Sequence, residues 1–290
     1  MTLIVTGATG HLGRLVVENL LDRGVPAAEI VATGRSLDRL GELAERGVRT
    51  RAADYADPGS LRAAFAGAHR VLLVSGLDPV VRVQQHRNAI EAAREAGVEL
   101  LAYTSIVNAD TSTLRLAEDH QATEALLRDS GVPFVLLRNS WYLENWTAQL
   151  AAVLEHGTLL GSAGEGLVSA ASRADYAAAA AAVLVTAGHA GRAYELGGDE
   201  PFTLAQLAAE TAEHAGTPVH YTDLSAADHV RALVAQGLPQ DFAEILADAD
   251  QGLARGELRT DSGDLARLLG RPATTLGEAV AAAVRTVQHA

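Results

Sequence analysis

The segment Thr6-Gly7-Ala8-Thr9-Gly10-His11-Leu12-Gly13 constrains the fold more than any other stretch of the chain. It follows a short apolar run, Leu3-Ile4-Val5, and leads straight into Leu15, Val16, Val17, Leu20 and Leu21, which recur at helical spacing. A strand, a glycine turn and a helix in immediate succession make an anion-binding corner, because the free N–H groups at the helix start face outward. In such a corner Gly7 permits the tight turn, Gly10 lets backbone approach a pyrophosphate, and Gly13 lets the helix pack close to the strand. Glycines often serve turn geometry alone. Placed one strand into the chain, this triplet points to dinucleotide binding, with Thr9, His11 and Leu12 as its neighbours in the site.

The N-terminal half then alternates strands and helices as βαβ units do. Strands are expected at Ile30–Thr33, Val48–Ala53, Arg70–Val74, Leu100–Tyr103 and Phe134–Leu137, with helices near 37–46, 60–66, 81–96 and 117–128. The strands end at Gly34-Arg35, Asp54, Ser75-Gly76, Thr104-Ser105 and Arg138-Asn139. Ligands of open α/β sheets bind at the carboxyl ends of strands, so these small and polar residues describe one groove. The expected fold is α/β, a Rossmann-type doubly wound parallel sheet, with residues 1–139 as the binding domain and a late strand near 193–197 returning to the sheet. Segments 140–170 and 201–290 are expected to form a smaller, discontinuous and mostly helical substrate domain. Three of the chain's eight Trp and Tyr residues, Trp141, Tyr142 and Trp146, fall within six positions at its start.

Bulk properties narrow the function. The net charge of −13, with no basic run, argues against a nucleic-acid or anionic-membrane partner. Zero cysteines exclude disulfides and thiolate metal sites, and fit a reducing compartment. The apolar run Ala177–Val185 is far short of the roughly 20 residues that span a bilayer. Because Leu3-Ile4-Val5 serves as the first strand, a cleaved leader is not expected, and the cytoplasm is the expected location.

The cofactor is read from the end of the second strand. NAD-binding folds place an Asp or Glu about 20 residues past the glycines to receive the ribose hydroxyls. This chain has Thr33-Gly34-Arg35 there, and a guanidinium suits a 2′-phosphate, so NADPH is expected. Asp54 and Tyr55 would border the adenine, while Asp57 reads as a helix cap.

With these residues placed, the chain resembles the NmrA-like atypical short-chain dehydrogenases, whose wider superfamily shares the GxxGxxG spacing. Within that group it is most similar to bacterial NADPH-dependent quinone oxidoreductases of the second type. The resemblance rests on Thr6–Gly10, Ala53-Asp54-Tyr55, Leu72–Ser75, Gln85-His86-Arg87-Asn88, Ala102–Ser105, Leu137–Tyr142 with Glu144-Asn145, and Ser172–Ala177. Triphenylmethane dye reductases share several of these blocks. The resemblance implies hydride transfer from NADPH to a quinone, with Asn139, Trp141 and Tyr142 walling the acceptor site. It leaves two alternatives: dye reduction, or an NmrA-type sensor that binds NADP without turnover. The oligomeric state is open, a homodimer included.

The wider superfamily's Tyr-x-x-x-Lys pair is replaced here by His120-Gln121-Ala122-Thr123-Glu124. The tyrosine–lysine mechanism therefore does not carry over, and no metal site is expected. His120 and Tyr142 are the weak catalytic candidates, and His120 with Glu124, one helical turn apart, could form an acid–base pair or simply stabilise the helix.

Overall fold

The computed structural model describes residues 1–289. In chain order its strands and helices are β1 (Leu3–Val5), α1 (His11–Asp22), β2 (Ile30–Gly34), α2 (Gly41–Glu45), β3 (Arg49–Ala52), α3 (Pro58–Phe65), β4 (Arg70–Leu73), α4 (Arg82–Glu95), β5 (Leu100–Ile106), α5 (Arg115–Asp129) and β6 (Phe134–Asn139). There follow α6 (Glu144–Thr147), α7 (Leu150–His156), β7 (Thr158–Gly161), α8 (Arg173–Val185), β8 (Ala193–Leu196), α9 (Leu204–Ala215), β9 (His220–Asp223), α10 (Ala226–Ala235), α11 (Gln240–Ala254), α12 (Asp264–Leu269) and α13 (Leu276–Gln288).

Seven strands form one sheet in the order β3-β2-β1-β4-β5-β6-β8. The register from β3 to β6 is parallel throughout. Strands β1, β2 and β5 are buried along their whole length, as strands covered on both faces must be. Under one face Ile4, Val31, Val71, Leu73, Leu101 and Tyr103 pack with Phe65, Ile90 and Leu127. On the other, α8 packs against α1, β4 and β5. The sequence expectations assign no element to 171–192. The alanine run forms α8 because its small side chains let a helix lie close against its neighbours, and Ala177–Leu184 is entirely buried. The order reverses direction between β1 and β4, which is where a doubly wound sheet opens its crevice.

The chain divides into two compact units. One comprises residues 1–106, 119–139 and 173–194; the other 107–118, 140–172 and 195–290. This division differs from the sequence expectation at 107–118, which packs with the second unit, and it places in the first unit 173–194, a stretch the expectation left outside both domains apart from its late strand. The reason for the former is visible in its hydrogen bonds. Glu257 accepts from Ser112 Oγ (2.9 Å), Thr113 N (2.9 Å) and Thr113 Oγ1 (2.8 Å), and Asp248 accepts from Arg115 N (2.9 Å). Asn108, at φ 55°, donates its amide to Glu195 and its side chain to the carbonyls of Glu257 and Arg259. The second unit is helical, as expected for 201–290, but also holds a two-stranded parallel sheet of β7 and β9. Among the described residues no helix is long and apolar enough to cross a membrane.

Candidate cofactor-binding site

The glycine corner adopts the geometry its residues require. Gly7 sits at φ +61°, in the left-handed region that favours glycine. A Cβ on Gly13 would lie 2.5 Å from the Gly7 carbonyl oxygen, so α1 can start this close to β1 only with glycine there. Gly10 differs: a Cβ there would meet only the Gly7 carbonyl, at 3.3 Å. That contact is tight but leaves the surrounding space open, as a backbone meant to approach a ligand should. Helix α1 begins with no side-chain cap and no acid in its first turn. The outward N–H groups and the positive end of the helix dipole are thus left to an anion. His11 is exposed, whereas the Leu12 side chain is buried, so Leu12 can offer only its amide.

The end of β2 meets this corner directly. Ala8 N donates to Thr33 O (2.9 Å), and a Cβ on Gly34 would lie 2.5 Å from Thr9 Cγ2. Glycine at 34 therefore makes room for Thr9, a constraint that neither residue signals alone. Arg35 follows, exposed and, among the described residues, without a hydrogen bond or ion pair. A dinucleotide's phosphates would fit these residues: an uncapped helix start, space at Gly10, and a free guanidinium at the second strand's end.

Beyond β3, Asp54 Oδ1 accepts from Ala56 N (2.9 Å) within its own turn, and Asp57 caps α3 by accepting from Gly59 N (2.8 Å). The Tyr55 hydroxyl is held by Thr6 and donates to Val74 O (2.8 Å), and burial pushes its pKa up. Tyr55 thus ties the ends of β1, β3 and β4 together. Ser75 and Gly76 are half-buried. Ser75 N donates to Thr104 Oγ1 (2.9 Å), which places the ends of β4 and β5 side by side. Asn139, at the end of β6, is buried and engaged.

Three residues of the sequence reading have partners that the sequence did not show. Ser105 does not present its hydroxyl to the groove: it donates to Glu124 Oε1 (2.6 Å). Glu124 is not half of an acid–base pair with His120. It is 1% exposed and bound by both arms of Arg138, at 2.9 and 2.6 Å, with Arg128 adding a third cation contact at 2.8 Å. Such a buried fork makes the carboxylate a structural link between α5 and β6. His120 instead meets the Tyr103 hydroxyl through Nδ1 (2.7 Å), and burial drives its pKa down to about 3. A histidine so buried is a neutral hydrogen-bonding group near pH 7, not a proton donor of useful strength. The sequence placed both residues correctly on α5, but their roles depend on partners contributed by β5 and β6. Among the described residues no group of three or more His, Cys, Asp or Glu could hold a metal ion.

In the second unit, Trp141 and Tyr142 are half-buried, and the segment is pinned by Ala171 N to Trp141 O (3.1 Å) and Leu143 N to Ala171 O (3.0 Å). Trp146 is buried edge-on against Phe202, with ring centroids 5.7 Å apart, so it is a packing residue.

Known proteins share the sequence and fold of this chain. The chain is 49% identical over 276 residues to quinone oxidoreductase 2 of Escherichia coli (strain K12), covering 95% of this chain and 96% of that protein. It superposes on the crystal structure of the E. coli NADPH-dependent quinone oxidoreductase QOR2 complexed with NADPH at a TM-score of 0.94, with 49% identity and 97% and 99% of the two chains covered. The Citrobacter sp. triphenylmethane reductase complexed with NADP(H) is similar at a TM-score of 0.93 and 38% identity, over 97% of this chain and 100% of that one. The family described as NAD(P)H-binding matches residues 7–187, which include the glycine corner, the strand-end turns and α8. The chain belongs to this NAD(P)H-binding family.

Proposed function

We propose that this protein is an NADPH-dependent oxidoreductase that passes hydride to a quinone, giving the hydroquinone in one two-electron step. The observation that carries the reading is Arg35. It stands exposed at the end of β2, unpartnered among the described residues, where the strand end Thr33-Gly34-Arg35 holds no acid to receive a bare ribose. The similarity to the E. coli enzyme, solved with NADPH, supports the same cofactor and class of acceptor.

When bound, NADPH supplies a hydride from its nicotinamide ring. The chain's own part is to bind and orient. The amides of His11, Leu12 and Gly13 would receive the pyrophosphate, with Gly7, Thr9 and Gly10 shaping the turn. Arg35 would take the 2′-phosphate. The turns at Asp54-Tyr55 and Ser75-Gly76, and the strand ends at Thr104 and Asn139, would border the rest. Trp141 and Tyr142 would offer aromatic surface to a flat acceptor.

The chemistry of a quinone suits a site without a Tyr–Lys pair. Hydride addition to a simple ketone leaves a strongly basic alkoxide that needs a positioned acid. Addition to a quinone leaves a delocalised, much less basic phenolate, stable enough to leave the transfer step without a proton and to be protonated by water afterwards. His120, held neutral by burial, is not required, and Tyr142 serves the acceptor rather than the proton. Such an enzyme gains its rate chiefly from holding the reactants in register. A cysteine-free chain fits a reducing compartment, and we place the protein in the cytoplasm.

The test is steady-state NADPH oxidation against a panel of quinones and triphenylmethane dyes. Quinone turnover with NADPH preferred over NADH is expected. Trp141→Ala should raise the KM for quinone while leaving NADPH affinity nearly intact. Tight NADP binding with no turnover of any acceptor would sink the enzyme reading in favour of a sensor.

A further inference from the structure

The block Gln85-His86-Arg87-Asn88 lies in the first turns of α4, and side chains from this end of the helix reach the turns that close β3 and β4. His86 is fully buried. Its Nε2 accepts the Gly76 N–H at 3.0 Å, and its Nδ1 meets Thr123 Oγ1 at 2.9 Å. The Thr123 hydroxyl donates to the Asp119 carbonyl (2.8 Å), so the direction of every bond is fixed. Nε2 must be bare and Nδ1 must carry the proton. Burial, then the nearby Arg82 charge, lowers the His86 pKa to about 3, which keeps this neutral form through the physiological range.

Arg82 grips the same turn from the carbonyl side. Its Nε donates to Gly76 O (2.7 Å) and one terminal nitrogen to Leu77 O (3.0 Å), while the other pairs with Asp119 at 3.0 Å. Gly76 is thus held at both its N–H and its C=O. Asn88 Nδ2 donates to Tyr55 O (2.8 Å), fixing the turn after β3 from the same helix. The rings of Tyr55 and Tyr103 flank His86 edge-on, with centroids 6.2 and 5.3 Å from it. Immediately past the clamp, Leu77 is 93% exposed and Val80 is 89% exposed. The tip of this loop therefore has no packing to fix it, and while Thr104 holds Ser75 N, the conformation of Gly76 rests on α4.

We propose that His86, Arg82 and Asn88 are positioning residues, which hold the Tyr55 and Ser75-Gly76 turns in a single conformation and so pre-form the stretch of groove those turns border. The inference rests on reading that groove as the NADPH site. A pre-formed groove lowers the cost of binding, because the turns need not be ordered by the cofactor. The donor pattern makes the histidine specific: glutamine can supply an acceptor oxygen to Gly76 N–H, and leucine supplies none.

The first test needs no cofactor. In ¹⁵N spectra of the wild-type protein, the His86 ring should show the Nδ1–H tautomer without titrating between pH 8 and 5. A ring that titrates near pH 6.5, or carries its proton on Nε2, overturns the clamp. The second test compares variants by NADPH fluorescence titration and by amide exchange at residues 75–77. His86→Leu should bind NADPH about tenfold more weakly and exchange the Gly76 amide at least tenfold faster, and His86→Gln should recover most of both. The KM for NADPH should rise while the KM for quinone does not. Folded His86→Leu that binds NADPH as tightly as the wild type overturns the proposal. If the leucine variant does not fold, Asn88→Ala decides by the same two readouts at Tyr55 and in NADPH affinity. A wild-type protein that shows the clamp and binds NADPH but reduces no quinone would sink the acceptor reading and leave the positioning role standing.

Discussion

The two compact units satisfy their buried polar groups in opposite ways. In the first, the strands satisfy one another through five parallel pairings from β3 to β6, side chains serve the strand-end turns, and the networks of Glu124 with Arg138 and His86 with Thr123 are almost wholly sealed from water. In the second, carboxylates do much of this work. Glu257, Asp248, Glu195 and Asp250 accept from backbone N–H groups at Thr113, Arg115, Asn108 and Ser162. Its backbones also cross closely at glycines: a Cβ on Gly166 would lie 2.5 Å from Leu253 O. A regular sheet spreads its hydrogen bonds over many residues, whereas a carboxylate concentrates several on one side chain. The two units should therefore answer differently to pH and to mutation.

The largest contrast is expected on acidification. His86 and His120 have folded-state pKa values near 3 against 6.5 when unfolded, so the unfolded chain binds more protons between those limits. Their stabilisation is present above pH 6.5 and is lost as pH falls towards 3, at up to about 1.4 kcal/mol per pH unit for each ring. Asp250, in the second unit, runs the other way. Burial raises its pKa from 3.8 to about 6, so its contribution is present below pH 3.8 and lost as pH rises through 6. Unfolding followed at several pH values, with His86→Gln and Asp250→Asn as the paired controls, would reveal opposite slopes. Parallel slopes would remove this distinction.

Next in size is the loss of a buried carboxylate. Glu124→Ala removes the buried carboxylate that Arg138 and Arg128 share, and should cost about 3–5 kcal/mol in denaturant unfolding. Glu257→Ala frees several donors in the second unit, but Thr113 and Arg255 beside it are exposed and can turn to water, so the loss should be clearly smaller. Equal losses would contradict the contrast between sealed and solvated networks.

Two binding variants probe the glycine corner, with the fold as the control. Gly10→Val should weaken NADPH binding by more than about 100-fold, or about 2.7 kcal/mol, while leaving the melting temperature nearly unchanged. Normal affinity in the folded variant would place the phosphates elsewhere. Arg35→Ala should cost about ten- to hundredfold in NADPH affinity, the worth of a charge-assisted hydrogen bond, and leave NADH affinity unaltered. Matching losses for both cofactors would take Arg35 off the 2′-phosphate.

What the sequence determined by itself is local. The run from Leu3 to Gly13, the alternation of strands and helices up to Asn139, the Asp57 cap and the absence of an acid beside Arg35 all depend on residues within a few positions of one another. Short-range periodicity and turn chemistry are enough to specify them. The tertiary structure decided what depends on distant partners. The sequence set His120 and Glu124 one turn apart, but β6 supplied Arg138 and β5 supplied Tyr103, turning two candidate proton carriers into structural groups. Glu257, 145 residues from Ser112, drew the segment 107–118 into the second unit. The alanine run reads from sequence only as a short apolar stretch, and its packing on α1, β4 and β5 shows it as the helix that covers one face of the sheet. The clamp on Gly76 likewise needed the fold, since a histidine's tautomer is set by the groups at its two nitrogens, and those lie on other elements.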